Sequence, residues 1–420
     1  MSPSNRPVSL AVQQDRLWQR LMDLATIGAT KKGGVNREAL TPEDAEARAL
    51  IRGWAEARGF TTHIDEIGNL FFRRAGEDPN AAPVVTGSHI DSQPTGGKFD
   101  GAYGVMAGLE VLEACEDIGL KTRRPLEFVA WMNEEGGRFQ PATMGSGVYA
   151  GNMDFAEMLD VRDRDGVRVG DALPQSLAAT PGATPRAFGS PVAAYIEAHI
   201  EQGPRLENED KTVGVVTGIQ GCRWFAVEVL GEEAHAGTTP NAARKDALKA
   251  ALAMISEMHD LMADETDVLR FTIGRLEVSP NSPNTVPARA FFTVDFRHPD
   301  LAVLTGKGDA IKGICERHAG GLPLTVKETY SVPPTTFDTS VVARVRAAAT
   351  ELALPNMDMI SGALHDAKYM NDIAPSGMIF VPCARGLSHN EAESATPEDL
   401  AAGARVLAEA LVALANEESS

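Results

Sequence analysis

Two short apolar runs decide most of what this chain can become, because each ends in groups that a buried strand has no use for. VVTGSHID (84–91) reads as a buried strand over Val84–Thr86 that breaks at Gly87, with a histidine and an aspartate just beyond. LEFVAWMNEEGG (126–137) reads as a second buried strand, Leu126–Met132, that breaks into an asparagine, two glutamates and two glycines. Between them lie a glycine-rich loop with Asp100 and a helix expected over about Gly104–Ile118. Ligands of open α/β sheets sit outside the carboxyl ends of the strands. Two strand ends carrying imidazole and carboxylates therefore mark a candidate site.

The rest of the chain supplies the sheet. Leu17, Leu21 and Leu24 recur at helical spacing within a helix expected over Leu10–Ile27. Thr41-Pro42-Glu43-Asp44 has a capping hydroxyl, a proline at the first helical position and acidic residues behind it, which starts a helix reaching about Arg58. Strands follow at Phe60–Ile64 and Leu70–Arg73, and another, Ala193–His199, delivers a histidine before Glu201 and Gln202. Residues 160–191, with DRDG and a Thr-Pro-Gly-Ala-Thr-Pro stretch, are expected to be surface loops.

After Val213 the texture changes. A strand at Trp224–Leu230, a helix reaching about Met262 and strands at Leu269–Val278 and Ala290–Arg297 suggest a separate small α+β domain over 216–330. Helices at Thr339–Leu354 and Pro397–Asn416 then enclose a strand at Ser376–Pro382. The expected architecture is α/β: a large domain (1–215 and 331–420) with a central sheet flanked by helices, and a smaller domain inserted into it.

Composition excludes several functions. A net charge of −19 over 420 residues argues against nucleic acid or an anionic membrane as partner. No run of eighteen apolar residues appears, and the N-terminus lacks the layout of a secretory signal. Four dispersed cysteines without a Cys-x-x-Cys read as buried thiols in a reducing cytoplasm.

A metal site needs imidazoles and carboxylates that converge. His89, Asp100, Glu135, His199 and His389 stand at strand ends or in loops of the large domain. Two histidines and two carboxylates suit one ion, and a fifth ligand makes room for a second with a shared carboxylate. A single histidine is more often a satisfied core residue, but three of nine at such breaks change that balance. Of Glu134 and Glu135, one could hold metal while its neighbour takes a proton, with the Gly136-Gly137 turn letting both face one site; the plainer alternative is a solvated acidic turn. Arg297 in FFTVDFRHPD could fork a substrate carboxylate or pair with Asp295 on the same face. His235 and Asn284 lie in loops, where binding groups are often found. There is no Gly-x-Ser-x-Gly, no His-Glu-x-x-His, no Walker loop and no dinucleotide fingerprint.

Together GSHIDSQPTGGKFDGAYGV, MNEEGGRF, EAHIEQGP, EEAHAGTTPNAARKDAL, PNTVP, DFRHPD, SGALHDA and GLSHNE resemble the amidase/carbamoylase branch of the zinc-dependent aminoacylase and carboxypeptidase superfamily, in order and over essentially the whole chain. The resemblance implies a metallopeptidase-like large domain with a mixed sheet, and a lid and dimerisation role for the inserted one. It implies two divalent ions (Zn, Mn, Co or Ni) held by His89, Asp100, Glu135, His199 and His389, with Asp100 bridging. Glu134 would be the general base and later the acid, and Asp91 would orient His89. Gln202, His235, Asn284, Arg297, Gly362 and His365 would contact a small carboxylate substrate, with His235 reaching the neighbouring subunit's site in a homodimer. Leu364 replaces the glycine usual in the SGALHDA motif, a change in the pocket near Gly362 and His365. The implied reaction is hydrolysis of an N-carbamoyl-L-amino acid to amino acid, ammonia and carbon dioxide, with allantoate or another N-acyl amino acid as rival substrates. A non-catalytic binding protein on the same fold would be expected to lose the base or a ligand, yet all six are present.

Overall fold

The structure, a computed structural model, describes residues 7–417; residues 1–6 and 418–420 of the expected large domain lie outside the described residues. The chain forms two compact units, one from the residues up to Thr217 and from Phe337 onward, the other Gly218–Thr336.

In the first unit α1 (Gln14–Leu24) and α2 (Pro42–Ala57) precede a hairpin of β1 (Thr61–Ile64) and β2 (Leu70–Arg74), followed by β3 (Val84–His89), α3 (Ala102–Asp117) and β4 (Leu126–Trp131). Three short helices, α4 (Met144–Tyr149), α5 (Phe155–Asp160) and α6 (Val169–Ala178), lead to β5 (Thr184–Pro185), β6 (Ala194–Ile200), α7 (Arg205–Asn208) and β7 (Val213–Ile219). The second unit holds β8 (Gly221–Leu230), β9 (Ala234–His235), α8 (Ala247–Leu261), β10 (Arg270–Thr272), β11 (Leu276–Ser279), β12 (Thr285–Val286), β13 (Arg289–His298), α9 (Leu301–His318), β14 (Leu324–Val332) and β15 (Thr335–Thr336). The chain closes with α10 (Thr339–Glu351), β16 (Asn356–Ser361), α11 (Ala367–Met370), β17 (Ser376–Val381) and α12 (Pro397–Asn416).

The first unit is built on a mixed sheet in the order β7-β17-β6-β3-β4-β2-β1-β5. Its middle is parallel: β17 runs beside β6, β6 beside β3, and β3 beside β4. Antiparallel strands flank it, β7 on one side and β2 and β1 on the other. Every residue of β3, β4, β6 and β17 is buried, as strands covered on both faces must be. α3 and α12 pack on each other and on β3, β6 and β17. Gly104 lets α3 lie close, since a Cβ there would stand 2.3 Å from the Ala198 carbonyl oxygen.

Helix starts follow the sequence signals. Thr41 Oγ1 accepts the Asp44 N–H and Thr396 Oγ1 the Asp399 N–H, each ahead of a proline at the first helical position. The Asp44 carboxylate does not bond the Thr41 N–H; it accepts the Leu40 N–H at 3.0 Å and faces Arg48 Nε at 3.2 Å. α1 buries Leu17, Leu21 and Leu24 as their spacing predicts, over a shorter span than expected.

Three expectations are corrected. β3 does not break at Gly87 but runs on to His89, pairing Gly87, Ser88 and His89 with Val129, Ala130 and Trp131. The glycine marks a close approach to β4, where a Cβ would lie 2.1 Å from the Val129 oxygen. Residues 160–191 are not only loops. α6 forms there despite Pro174, because Val169 and Leu173 bury themselves against Ile67, Met132, Phe139 and Val148, and Thr184–Pro185 extends the sheet beside β1. Residues 269–278 form two strands instead of one, and both pair with β13.

The second unit is a five-stranded sheet, β10-β13-β8-β14 with β11 also on β13, together with a two-stranded ribbon of β9 and β12. Alternate residues Phe292, Val294 and Phe296 of β13 are buried with Met254, Met258, Ile311 and Ile314 from α8 and α9 in a core of this unit's own. α9 and β14 lack a strong signal in the sequence and are settled by that core. Among the described residues no helix is long and apolar enough to cross a membrane.

Asp44 and Arg48 are both nearly inaccessible, and Arg48 Nη1 also donates to the Gly68 carbonyl at 2.6 Å. Removing one partner of a buried pair leaves a charge without compensation. Asp44→Ala is expected to lower stability by about 3–5 kcal/mol, read as a shift of the urea unfolding midpoint with m unchanged.

Candidate active site

The parallel strands bring their last residues to one edge of the sheet. Val84 of β3 lies opposite Ala194 of β6, and the same register carried five residues on sets His89 beside His199. Their ring centroids are 5.9 Å apart. β4 ends at Trp131 beside His89, and Glu134 and Glu135 follow it.

Each strand-end imidazole is held by a backbone carbonyl. His89 Nδ1 lies 2.9 Å from the Asp91 carbonyl oxygen and His199 Nδ1 2.9 Å from that of Ile200. Those bonds place the hydrogen on Nδ1 and leave a lone pair on Nε2, as the Gly101 N–H donating to His199 Nε2 at 3.1 Å requires. Asp100, at the entry to α3, faces both rings: its Oδ1 is 3.2 Å from His199 Nε2 and 3.6 Å from His89 Nε2. Its Oδ2 is 3.4 Å from His389 Nε2, which is 3.3 Å from Glu135 Oε2. One carboxylate thus faces two ligand sets, His89 with His199 and Glu135 with His389. Each set, completed by Asp100, lies close enough to hold one ion.

A cation fits this arrangement. Donor atoms bound at zinc-like distances stand about 3.3 Å from one another across a tetrahedron; Asp100 lies 3.2 to 3.6 Å from the three imidazoles and Glu135 3.3 Å from His389, and within each set all donors fall within 4.8 Å of one another. Asp91, Asp100, Glu134 and Glu135 are all buried, and the lone pairs of two rings are turned on them. Positive charge is what such a set lacks.

The electrostatics carry the same message. Burial pushes the Glu134 carboxyl well above its ordinary range, with His89 opposing and Asp366, Glu135 and Asp91 adding to the rise. Burial and then the Asp100 charge push Glu135 up to about 8. For Asp100 burial acts upward, but His199 and His89, once protonated in the absence of a cation, hold it well below the usual range by hydrogen bond and charge, the part a bound cation would take over. For His89 burial acts downward and is outweighed by Glu134, Asp100 and Asp91.

The Asp91 carboxylate stands 3.7 Å from His89 Nδ1. It accepts the N–H groups of Glu134 and Glu135, both at 3.2 Å, while the Asp91 backbone carbonyl orients His89. The carboxylate therefore aims both glutamates. The turn that swings them to one side is made by Asn133, at φ +51°, as well as by Gly136 at φ +64°.

Gln202 donates to Asp100 Oδ2 at 2.9 Å and leaves its Oε1 buried without a partner. His365 stacks edge-on against His199 at 4.5 Å and meets Ser361 Oγ at 3.0 Å. Burial and then the His199 charge press His365 well below its ordinary value. Gly362 is exposed and Leu364 half-buried in the same loop. Glu197 also falls within one ion's reach of His199 and His365. Its oxygens are already engaged by the Ser88 hydroxyl at 2.6 Å and the Ala367 N–H at 2.8 Å.

In the second unit the β9–β12 ribbon sets His235 opposite Thr285, the neighbour of Asn284. His235 is exposed, and its Nδ1 accepts the Gly237 and Thr238 N–H groups at 3.0 and 3.2 Å. The hydrogen is thereby on Nε2. Arg297, on β13, grips Asp295 with Nη2 and Nε at 2.9 and 3.1 Å, the pairing that spacing allowed.

Residues 85–413 match the model of peptidase family M20/M25/M40, and the chain belongs to that family. It is 43% identical to the N-carbamoyl-L-amino-acid amidohydrolase of Rhizobium meliloti, covering 96% of each chain. It is 36% identical to the allantoate amidohydrolase of Bacillus subtilis, covering 93% of this chain and 95% of that one. Among solved structures, an amidase of the hydantoinase/carbamoylase family from Burkholderia multivorans superposes with a TM-score of 0.92 at 48% identity, over 97% of this chain and 99% of that one.

Reasoning from the sequence missed Asn133, Gln93 and Glu393. Gln93 donates to Glu135 Oε2 at 3.0 Å, and Glu393 accepts the Asp100 N–H at 3.1 Å. Only the acidic run after GLSHN hinted at the last.

Gly101 follows Asp100 at φ +63°, and a Cβ there would stand 2.4 Å from three atoms of the His89 ring. Gly101→Ala is expected to weaken binding of a divalent ion by about 10–100-fold, the range for disturbing groups that orient metal ligands. Calorimetric titration of the metal-free protein with Zn²⁺ reads it.

Proposed function

We propose that this chain is a dinuclear-metal hydrolase of N-carbamoyl-L-amino acids, cleaving the C–N bond between the carbamoyl group and the amino-acid nitrogen. The single observation behind this reading is Asp100, whose two oxygens face two separate ligand sets. The Rhizobium meliloti relative carries the substrate class. His89 and His199 would hold one ion, Glu135 and His389 the other, and Asp100 both. Their imidazole and carboxylate donors suit Zn, Mn, Co or Ni. Divalent ions held there supply Lewis acidity and lower the pKa of water.

The chain's own groups do the rest. Glu134, buried with its carboxylate 3.3 Å from His89 Nε2, takes a proton from the attacking water and returns it to the leaving nitrogen. Asp91 keeps that carboxylate aimed. Water adds to the ureido carbon, and the bond to the amino-acid nitrogen breaks as that nitrogen is protonated. The carbamic acid released falls apart into ammonia and carbon dioxide. His235, with its hydrogen on Nε2, would donate to the oxygen that gains charge. Arg297 would take the substrate carboxylate in place of Asp295, with Gln202, Asn284, Gly362 and His365 as further contacts. In this reading residues 218–336 act as lid and dimerisation domain of a homodimer. Four cysteines outside any disulfide support a cytoplasmic setting. The Bacillus subtilis relative favours allantoate as a second substrate.

Metal-free protein resupplied with Zn, Mn, Co or Ni is expected to release ammonia from N-carbamoyl-L-amino acids, and Glu134→Gln to lower kcat by about 10²–10⁴-fold. Turnover of allantoate alone would move the reading to the second substrate. Silence across all substrates and metals would overturn it.

A further inference from the structure

Glu393 lies 293 residues from Asp100 in sequence yet touches it. It is 5% exposed. Its Oε1 accepts the Phe99 N–H at 2.8 Å and the Asp100 N–H at 3.1 Å. The Ser388 hydroxyl stands 2.7 Å from Asp100 Oδ2 and 3.0 Å from Glu393 Oε2, so its one hydrogen is shared between two carboxylates. Glu393 thus reaches Asp100 along two routes, through the backbone and through the side chain.

The surroundings are shaped for it. A Cβ on Gly97 would lie 2.0 Å from Glu393 Cδ and Oε1, so the loop before Asp100 leaves room for this carboxylate. The loop that carries Glu393 closes on itself, Ala384 N–H to Ser394 O at 2.7 Å and Glu393 N–H to Asn390 O at 3.0 Å. Within it His389 is half-exposed and stands at φ +52°, in the left-handed region that few non-glycine residues adopt.

We propose that Glu393 is a positioning residue that pins the Asp100 backbone to the His389 loop and thereby sets metal affinity. This rests on the reading of Asp100 and His389 as metal ligands. Two ligands from distant parts of the chain share one ion only if their loops keep a fixed separation, and Glu393 spans that gap. It touches neither substrate contacts nor reacting atoms, so it acts through Asp100.

Zn²⁺ and Mn²⁺ affinity by calorimetry, metal release to a chelator, kcat and KM, and the Tm of the metal-free protein would be measured for the wild type, Glu393→Ala, Glu393→Gln and Gly97→Ala. Glu393→Ala is expected to lose about 10–100-fold in metal affinity and to release metal faster. Its kcat should fall at limiting metal, with KM and the metal-free Tm little changed. Glu393→Gln keeps an acceptor for both N–H groups and should recover most of the affinity. Gly97→Ala displaces the carboxylate with Glu393 intact and should follow Glu393→Ala; it carries the test if that variant does not fold. Wild-type affinity in both would overturn the proposal, as would a lower metal-free Tm with affinity untouched. A wild type that binds no metal and hydrolyses nothing would instead remove the functional reading beneath it.

Discussion

The carboxylate of Asp100 is the point on which the rest depends. Its oxygens are turned in two directions, Oδ1 to His199 and His89 and Oδ2 to His389. That spread is useful only if three pieces of chain hold still around it. α3 starts one residue past Gly101 and is drawn onto the sheet at Gly104. β3 and β6 present their histidines from adjacent parallel strands. The third piece, the loop at 384–394, reaches in after the last strand. Packing of helix on sheet is what places the charge.

Buried charge is handled in contrasting ways in this unit. Away from the strand ends, several carboxylates meet arginine: Glu127 has Arg73 at 3.1 Å and Arg186 at 2.6 Å, and Glu110 has Arg16 at 2.6 Å. Those pairs are closed, with opposite charges in direct contact. At the strand ends carboxylates meet imidazoles whose donating nitrogens are spent on backbone carbonyls. The first solution is structural; the second leaves an open demand for positive charge, which a family of hydrolases answers with chemistry.

Much of this was legible in the residues. Continuous apolar runs identified the central strands, because a strand covered on both faces has no polar side to show. The α/β class and the family follow from them and from the motifs at their ends. Strand ends likewise gathered His89, Asp100, Glu135 and His199 into one region, since every such end opens on the same edge of a parallel sheet. What escaped the sequence depends on tertiary contact. α6 forms around Pro174 because a cluster far away in sequence buries Val169 and Leu173. Gly87 looked like a strand break, although it is a place where β3 comes close to β4. The bond from Asp91 to its neighbours runs through backbone groups, which no side-chain pattern records. Arg297 left two pairings open, and the fold joins it to Asp295.

The place of β17 in the sheet has a further consequence. It is the last strand in the chain, yet it lies inside the sheet, between β7 and β6. A ribosome must have released residue 381 before that sheet can close, and residue 393 before the Asp100 loop meets its anchor. The inserted unit, with its own core, is finished as a sequence some sixty residues earlier. A nascent chain thus carries a complete small unit while its larger one still waits for an inner strand and for the loop that bears His389 and Glu393.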